Sequence, residues 1–257
     1  MTPSSRPRPY LRAAVIAVAI AAMSGHATAD EKIYKRIPVT PGTPAPSTLS
    51  QFLAKLQRAA ETGDASVILG SVSKDLRCLR DFGGVCNERM TARDKFSAMT
   101  GVIAKPAGSG QNDALVALRQ LLNAQRFEST TAHGATSPIL CGPAVPKFDQ
   151  NLVASTKKVF GPDDDVWFNW LAVEGQEVAA YSKPSPSSSI VAKLSQELVH
   201  VDATGSDPDG WIAVDLPSGA KGHLRAADVS TLLPEQLCFT TVPSVGWQIS
   251  AFVGGGD

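Results

Sequence analysis

The residues that could do chemistry in this 257-residue chain are few: His133, His200 and His223 beyond a leader-like N-terminus, four cysteines, and three Ser-x-x-Lys spacings. Those types permit a serine activated by a lysine, a thiolate beside a histidine, or a metal held by imidazole and thiolate. Each chemistry needs partners at set spacings. The Ser-x-x-Lys pattern falls at Ser71/Lys74, Ser155/Lys158 and Ser218/Lys221, in unrelated settings and without Lys-Thr-Gly or Ser-Asp-Asn elements. No His-Glu-x-x-His and no Cys-x-x-Cys occurs, so no metal set forms. A catalytic cysteine at a helix start in the context Asp-Cys-Ser-Gly is missing. Gly-x-Ser-x-Gly, P-loop and Gly-x-Gly-x-x-Gly motifs are also missing. His133 in Thr131-Ala132-His133-Gly134, and His200, which alternates outward in Leu198-Val199-His200-Val201, both read as surface histidines. The acid-rich stretch 202–210 lacks the closing glutamate of a calcium loop and reads as a solvated hairpin tip. The expectation is therefore a protein with no catalytic residue, no metal and no cofactor.

The stretch that could instead form a binding surface runs from 177 to 228. In Trp211-Ile212-Ala213-Val214-Asp215-Leu216, Ile212, Val214 and Leu216 share one strand face. Trp211, Ala213 and Asp215 share the other. The run is closed by turn residues, Pro208-Asp209-Gly210 before it and Pro217-Ser218-Gly219 after it. Similar short runs on either side predict a small five-stranded barrel over 176–230.

Earlier in the chain the pattern is helical from Leu49 to about Glu128. Leu49, Phe52, Leu53 and Leu56 form one stripe, and Gly63 stops it. Asp64 caps a short second helix carrying Val67, Ile68 and Val72. Thr91 and Asp94 resemble a capping box. Leu115, Leu118 and Leu122 mark the strongest helix, and 132–148, rich in Gly and Pro, reads as a covering loop. Residues 151–175 form a junction whose Trp167 and Trp170 could line a cleft or pack between domains. Near the C-terminus Trp247, Ile249, Ala251 and Val253 alternate as a final strand. That strand either packs back on the first domain or extends the barrel. The predicted order is a leader over 1–29, a Pro-rich linker over 30–48, a helical domain over 49–150, the junction over 151–175, the barrel over 176–230, and a closing segment over 231–257. The fold class is α+β.

Five pieces of the barrel region carry a resemblance. They are Val178-Ala179-Ala180-Tyr181-Ser182-Lys183-Pro184, Ile190-Val191-Ala192-Lys193-Leu194, Gly210-Trp211-Ile212-Ala213-Val214, Gly219-Ala220-Lys221-Gly222-His223-Leu224 and Ala226-Ala227-Asp228-Val229. Together they resemble the bacterial SH3-like domain, over about a fifth of the chain. That family has an arginine where Tyr181 stands and a tryptophan or tyrosine where His223 stands. The whole layout resembles a group of exported proteins of Gram-negative bacteria. The resemblance implies a groove at Trp211, Tyr181 and His223, with peptidoglycan peptide or an envelope protein as the partner. A barrel that only braces the helical domain and a hydrolase without a recognisable motif are the other readings.

The N-terminus reads as an address. Arg6, Arg8 and Arg12 precede an apolar run from Ala13 to Met23, and Ala27-Thr28-Ala29 suits cleavage after Ala29. No stable membrane anchor is expected, and the location is the periplasm or beyond. Loss of the leader's three arginines leaves 21 basic residues against 24 acidic ones, a net charge of −3. That balance disfavours a nucleic-acid partner. Cys78, Cys86, Cys141 and Cys238 lie in the exported part, where disulfides are the default. Of three connectivities the favoured one is Cys78–Cys86, closed by a short glycine-bearing loop, with Cys141–Cys238 stapling the two halves.

Overall fold

The leucine stripe and its glycine stop produce the first helix as the spacing requires. In the computed structural model, which describes residues 33–79, 86–87, 89–103, 110–131, 138–203 and 210–255, strand β1 (Val39–Thr40) leads into helix α1 (Ser47–Thr62). Leu49, Leu53, Leu56, Ala59 and Ala60 are its buried face, and Gly63 ends it in the left-handed region at φ 73°. Asp64 caps α2 (Ala65–Gly70) by accepting from the Val67 amide. Thr91 caps α3 (Ala92–Thr100) in the same way, accepting from Asp94. Between these two helices runs β2 (Val72–Leu79), where the helical reading of the sequence is overturned. Its burial does not alternate, so no local period announces a strand. A parallel partner far along the chain makes it one.

The middle of the chain adds α4 (Gly110–Leu122), β3 (Glu128–Thr130), β4 (Ile139–Gly142), β5 (Lys147–Phe148), α5 (Gln150–Phe160), α6 (Val166–Asn169) and β6 (Trp170–Val173). The covering loop expected over 132–148 thus contains two strands, and the end of the junction is one helical turn followed by a strand. Next come β7 (Val178–Tyr181), β8 (Ile190–Leu194), β9 (Glu197–Val201), β10 (Trp211–Asp215), β11 (Lys221–Arg225) and a 3-10 turn at Ala226–Asp228. The chain closes with β12 (Ser230–Thr231), β13 (Gln236–Val242) and β14 (Gly246–Val253).

The described strands form three sheets, and this corrects the expected helical domain plus barrel. One sheet has five strands in the order β2-β14-β13-β4-β3 and another pairs β1 with β5. The third has seven strands, β12-β6-β9-β10-β11-β7-β8, and is not a closed barrel: its outer strands β12 and β8 do not pair with each other. The five runs read from the sequence are four of its five interior strands and one edge. The junction contributes β6 and the C-terminal segment contributes β12, so the sheet grows past the five strands instead of closing on them. Alternation reveals which side chains share a face and says nothing of edges.

The C-terminal strand lies in the five-stranded sheet, parallel to β2 and antiparallel to β13. Helices α1, α2 and α4 cover that sheet, with Leu237, Phe239, Ile249 and Phe252 meeting their leucines in one core. Cys141 and Cys238 are directly paired on β4 and β13 and joined by a disulfide; Cys78 and Cys86 form the second. Two disulfides suit an oxidising extracellular or periplasmic compartment. Among the described residues no helix is long and apolar enough to cross a membrane.

The Pro-rich stretch is extended, as its prolines require, and it is packed down. Tyr34, Ile37 and Val39 are buried, and bridges tie Pro38 to Glu197 and Thr43 to Phe127. Gly42 sits where the chain crosses Phe127. A methyl there would lie 2.7 Å from the Phe127 carbonyl oxygen and against the Ala144 side chain. Backbone on one side cannot yield, so Gly42→Ala is expected to cost about 2 kcal/mol. For a chain of this size that is a fall in Tm of roughly 4–8 °C by calorimetry. An unchanged Tm would mean that the chain relaxes around the added methyl at no cost.

Candidate functional site

The aromatic surface expected from the sequence is assembled by strand register. His223 stands opposite Ala213 on one side and Tyr181 on the other, and Trp211 stands opposite Arg225. Directly opposed residues share a face. Trp211, His223, Tyr181 and Arg225 therefore lie together, away from Ile212, Val214 and Leu224, which fill the inner core. The Tyr181 and Trp211 rings meet edge to face at 5.5 Å, and the Arg225 guanidinium sits 5.9 Å from the Trp211 ring centre. Trp211, Tyr181 and His223 are half-buried and Arg225 is exposed. The sheet thus brings together the three residues named from sequence and adds Arg225, which faces Trp211 across the strand pair but carries no motif of its own.

One end of the same sheet face holds a cluster that sequence reading missed. His200 is buried, contrary to its expected surface position. Its Nδ1 lies 3.1 Å from an Asp215 carboxylate oxygen and its Nε2 lies 3.2 Å from one of Asp164. Each ring nitrogen thus stands within hydrogen-bond reach of a carboxylate on a different segment of the chain. Asp164 also accepts from Trp170 Nε1 at 2.8 Å and from the Asn169 amide at 2.9 Å. Phe160 stacks on the imidazole at 3.7 Å. The Tyr34 hydroxyl donates to the Asp215 carbonyl, and Lys221 pairs with Asp202 and stands 3.7 Å from Asp215. Burial first, then the Glu197 and Asp215 carboxylates, pushes the Tyr34 hydroxyl up, so it remains a donor. The hydrogen bond to Asp202 holds Lys221 up as well, so it remains an ammonium.

His200 does point outward from the inner core, as alternation indicates. Helix α5 and the segment around Tyr34 and Ile37 cover that outer face, making a second core around Trp170, Ala172 and Leu198. Alternation assigns a face; it does not reveal a cover supplied from elsewhere in the chain. With both ring nitrogens against carboxylates, the cluster holds α5, β9 and β10 in place and offers no nitrogen to activate a hydroxyl or thiol. The two junction tryptophans divide between the options, Trp167 lining a cleft of about 430 Å³ beside α5 and Trp170 packed away. Trp170 is fully buried, and Trp167 is half-buried against Phe148 at 5.7 Å. His133, the loop at 81–84 and the tip at 204–209 lie outside the described residues, as do residues 1–32.

A further cavity is separate from both. It is a cleft of about 820 Å³ where the end of α4 and the chain leading to β3 meet the β6–β7 corner and the 3-10 turn. Among the described residues no group of three or more metal-ligating side chains gathers. Comparison with protein-family models, curated proteins and solved structures finds no match.

Proposed function

We propose that the protein is an exported, non-enzymatic binding protein of the cell envelope, and that its aromatic sheet face recognises cell-wall peptide. The observation that carries this reading is the half-exposed Trp211–Tyr181 pair, flanked by Arg225 and His223, on a rigid three-strand platform of β7, β10 and β11. Two aromatic faces set edge to face offer apolar area at little entropic cost, and a guanidinium beside them offers a bidentate partner for a carboxylate. An extended peptide loses little freedom when it docks on such a surface. The resemblance of the Gly-Trp and Gly-x-x-Gly pieces to the bacterial SH3-like family supports the same partner class. The two disulfides agree with an exported site of action.

Trp211→Ala is the test. Its ring is only half-buried, so the fold should survive with a small stability loss. Co-sedimentation with purified sacculi is expected to drop by roughly tenfold or more, the usual consequence of removing an aromatic anchor. Equal retention of the unaltered and substituted proteins would end this reading. If neither protein sediments with sacculi, an envelope protein replaces cell-wall peptide as the partner to seek.

A further inference from the structure

We propose that the 820 Å³ cleft beside α4 is a second binding site, for a short peptide with free ends and a basic side chain. Its size is that of a small-ligand site, and it lies between two packed layers, where such sites concentrate. The two sides differ in charge. Arg126 comes from the α4–β3 side; Glu174 and Asp228 come from the side of the seven-stranded sheet. Among the described residues Arg126 and Asp228 form no ion pair. Glu174 accepts only the Ser230 hydroxyl at 2.7 Å, which leaves a carboxylate oxygen for a ligand. One cation and two carboxylates leave the cleft one charge negative. The matching ligand carries one carboxylate and two amines, such as a peptide with an α-amino end, a lysine-type side chain and a free carboxyl end.

The β6 edge is closed at this point, because Val173 is fully buried with Val229 packed nearby, so the charged side chains lining the cleft are what select the ligand's ends. This inference does not depend on the aromatic face, and the two can fail separately.

The experiment is an amide NMR titration of the full chain with Ala-Lys-Ala, and with its N-acetylated and C-amidated forms. The free tripeptide is expected to shift Gly175, Val178 and Ser230. Blocking either end should weaken binding by roughly tenfold, the effect of one charged hydrogen bond. Arg126→Gln should abolish the penalty of the C-terminal amide while keeping that of N-acetylation. Glu174→Gln with Asp228→Asn should do the reverse. No shift at millimolar tripeptide, equal affinity of free and blocked forms, or shifts confined to the neighbourhood of Trp211 would each overturn the proposal. If a substituted chain does not fold, the blocked peptides on the unaltered chain still decide.

Discussion

Asp164→Ala should be among the most damaging single substitutions in the chain, lowering stability by about 3–5 kcal/mol. Asp164 is buried and takes three donors: the Trp170 indole, the Asn169 amide and the His200 ring. Removing the carboxylate leaves the fully buried Trp170 indole and the His200 ring without that acceptor. Each unsatisfied buried donor costs on the order of 1–3 kcal/mol. The loss extends through packing, because Trp170 and His200 are in ring contact with Phe160 and with each other. Asp164→Asn keeps one acceptor and should fall between the alanine variant and the native chain. Urea unfolding followed by tryptophan fluorescence measures both. A loss under about 1 kcal/mol for the alanine variant would mean the cluster contributes nothing net, as some buried ion pairs do.

Unequal effects are expected from removing the two disulfides. Cys141–Cys238 closes a separation of 97 residues and Cys78–Cys86 one of only 8. Chain entropy in the unfolded state rises with the logarithm of the loop, so the long link is worth about 4.7 kcal/mol and the short one about 2.6 kcal/mol. The long one also joins directly paired residues of β4 and β13, both buried, and so anchors the C-terminal hairpin in the five-stranded sheet. Paired alanine substitutions, compared by urea midpoint, should reproduce that order with a gap of about 2 kcal/mol. If the long-loop variant does not accumulate, stepwise reduction of the native protein with near-ultraviolet dichroism tests the same point. Equal losses for the two pairs would exclude loop closure as the source of the stabilisation.

Much of the aromatic surface is legible in the sequence. Trp211 and Asp215 were placed on the face opposite Ile212 and Val214 by period alone, and they lie there. That Tyr181 and His223 would stand beside Trp211 came from motif resemblance, and register then put all three on one face. Arg225 was not foreseen, because its relation to Trp211 exists only through the pairing of β10 with β11. The Asp164–His200–Asp215 cluster was missed for a related reason. Its members are 36 and 15 residues apart, and no local spacing signals a contact formed when α5 folds over the sheet.

Taken alone, the chain's residue order determined what nearest neighbours decide: the α1 and α4 leucine stripes, the Gly63 stop, the Asp64 and Thr91 caps, the two faces of β10 and a workable cysteine pairing. Helical and strand periods, caps and turns act over a few residues, so they can be read along the chain. Tertiary structure alone decided that Val72–Leu79 is a strand, that the seven-stranded sheet stays open, and that an outward-pointing histidine is sealed under a helix. Each of those outcomes depends on hydrogen-bond partners and covering side chains supplied by distant segments, and free energy of that kind appears only when the segments meet.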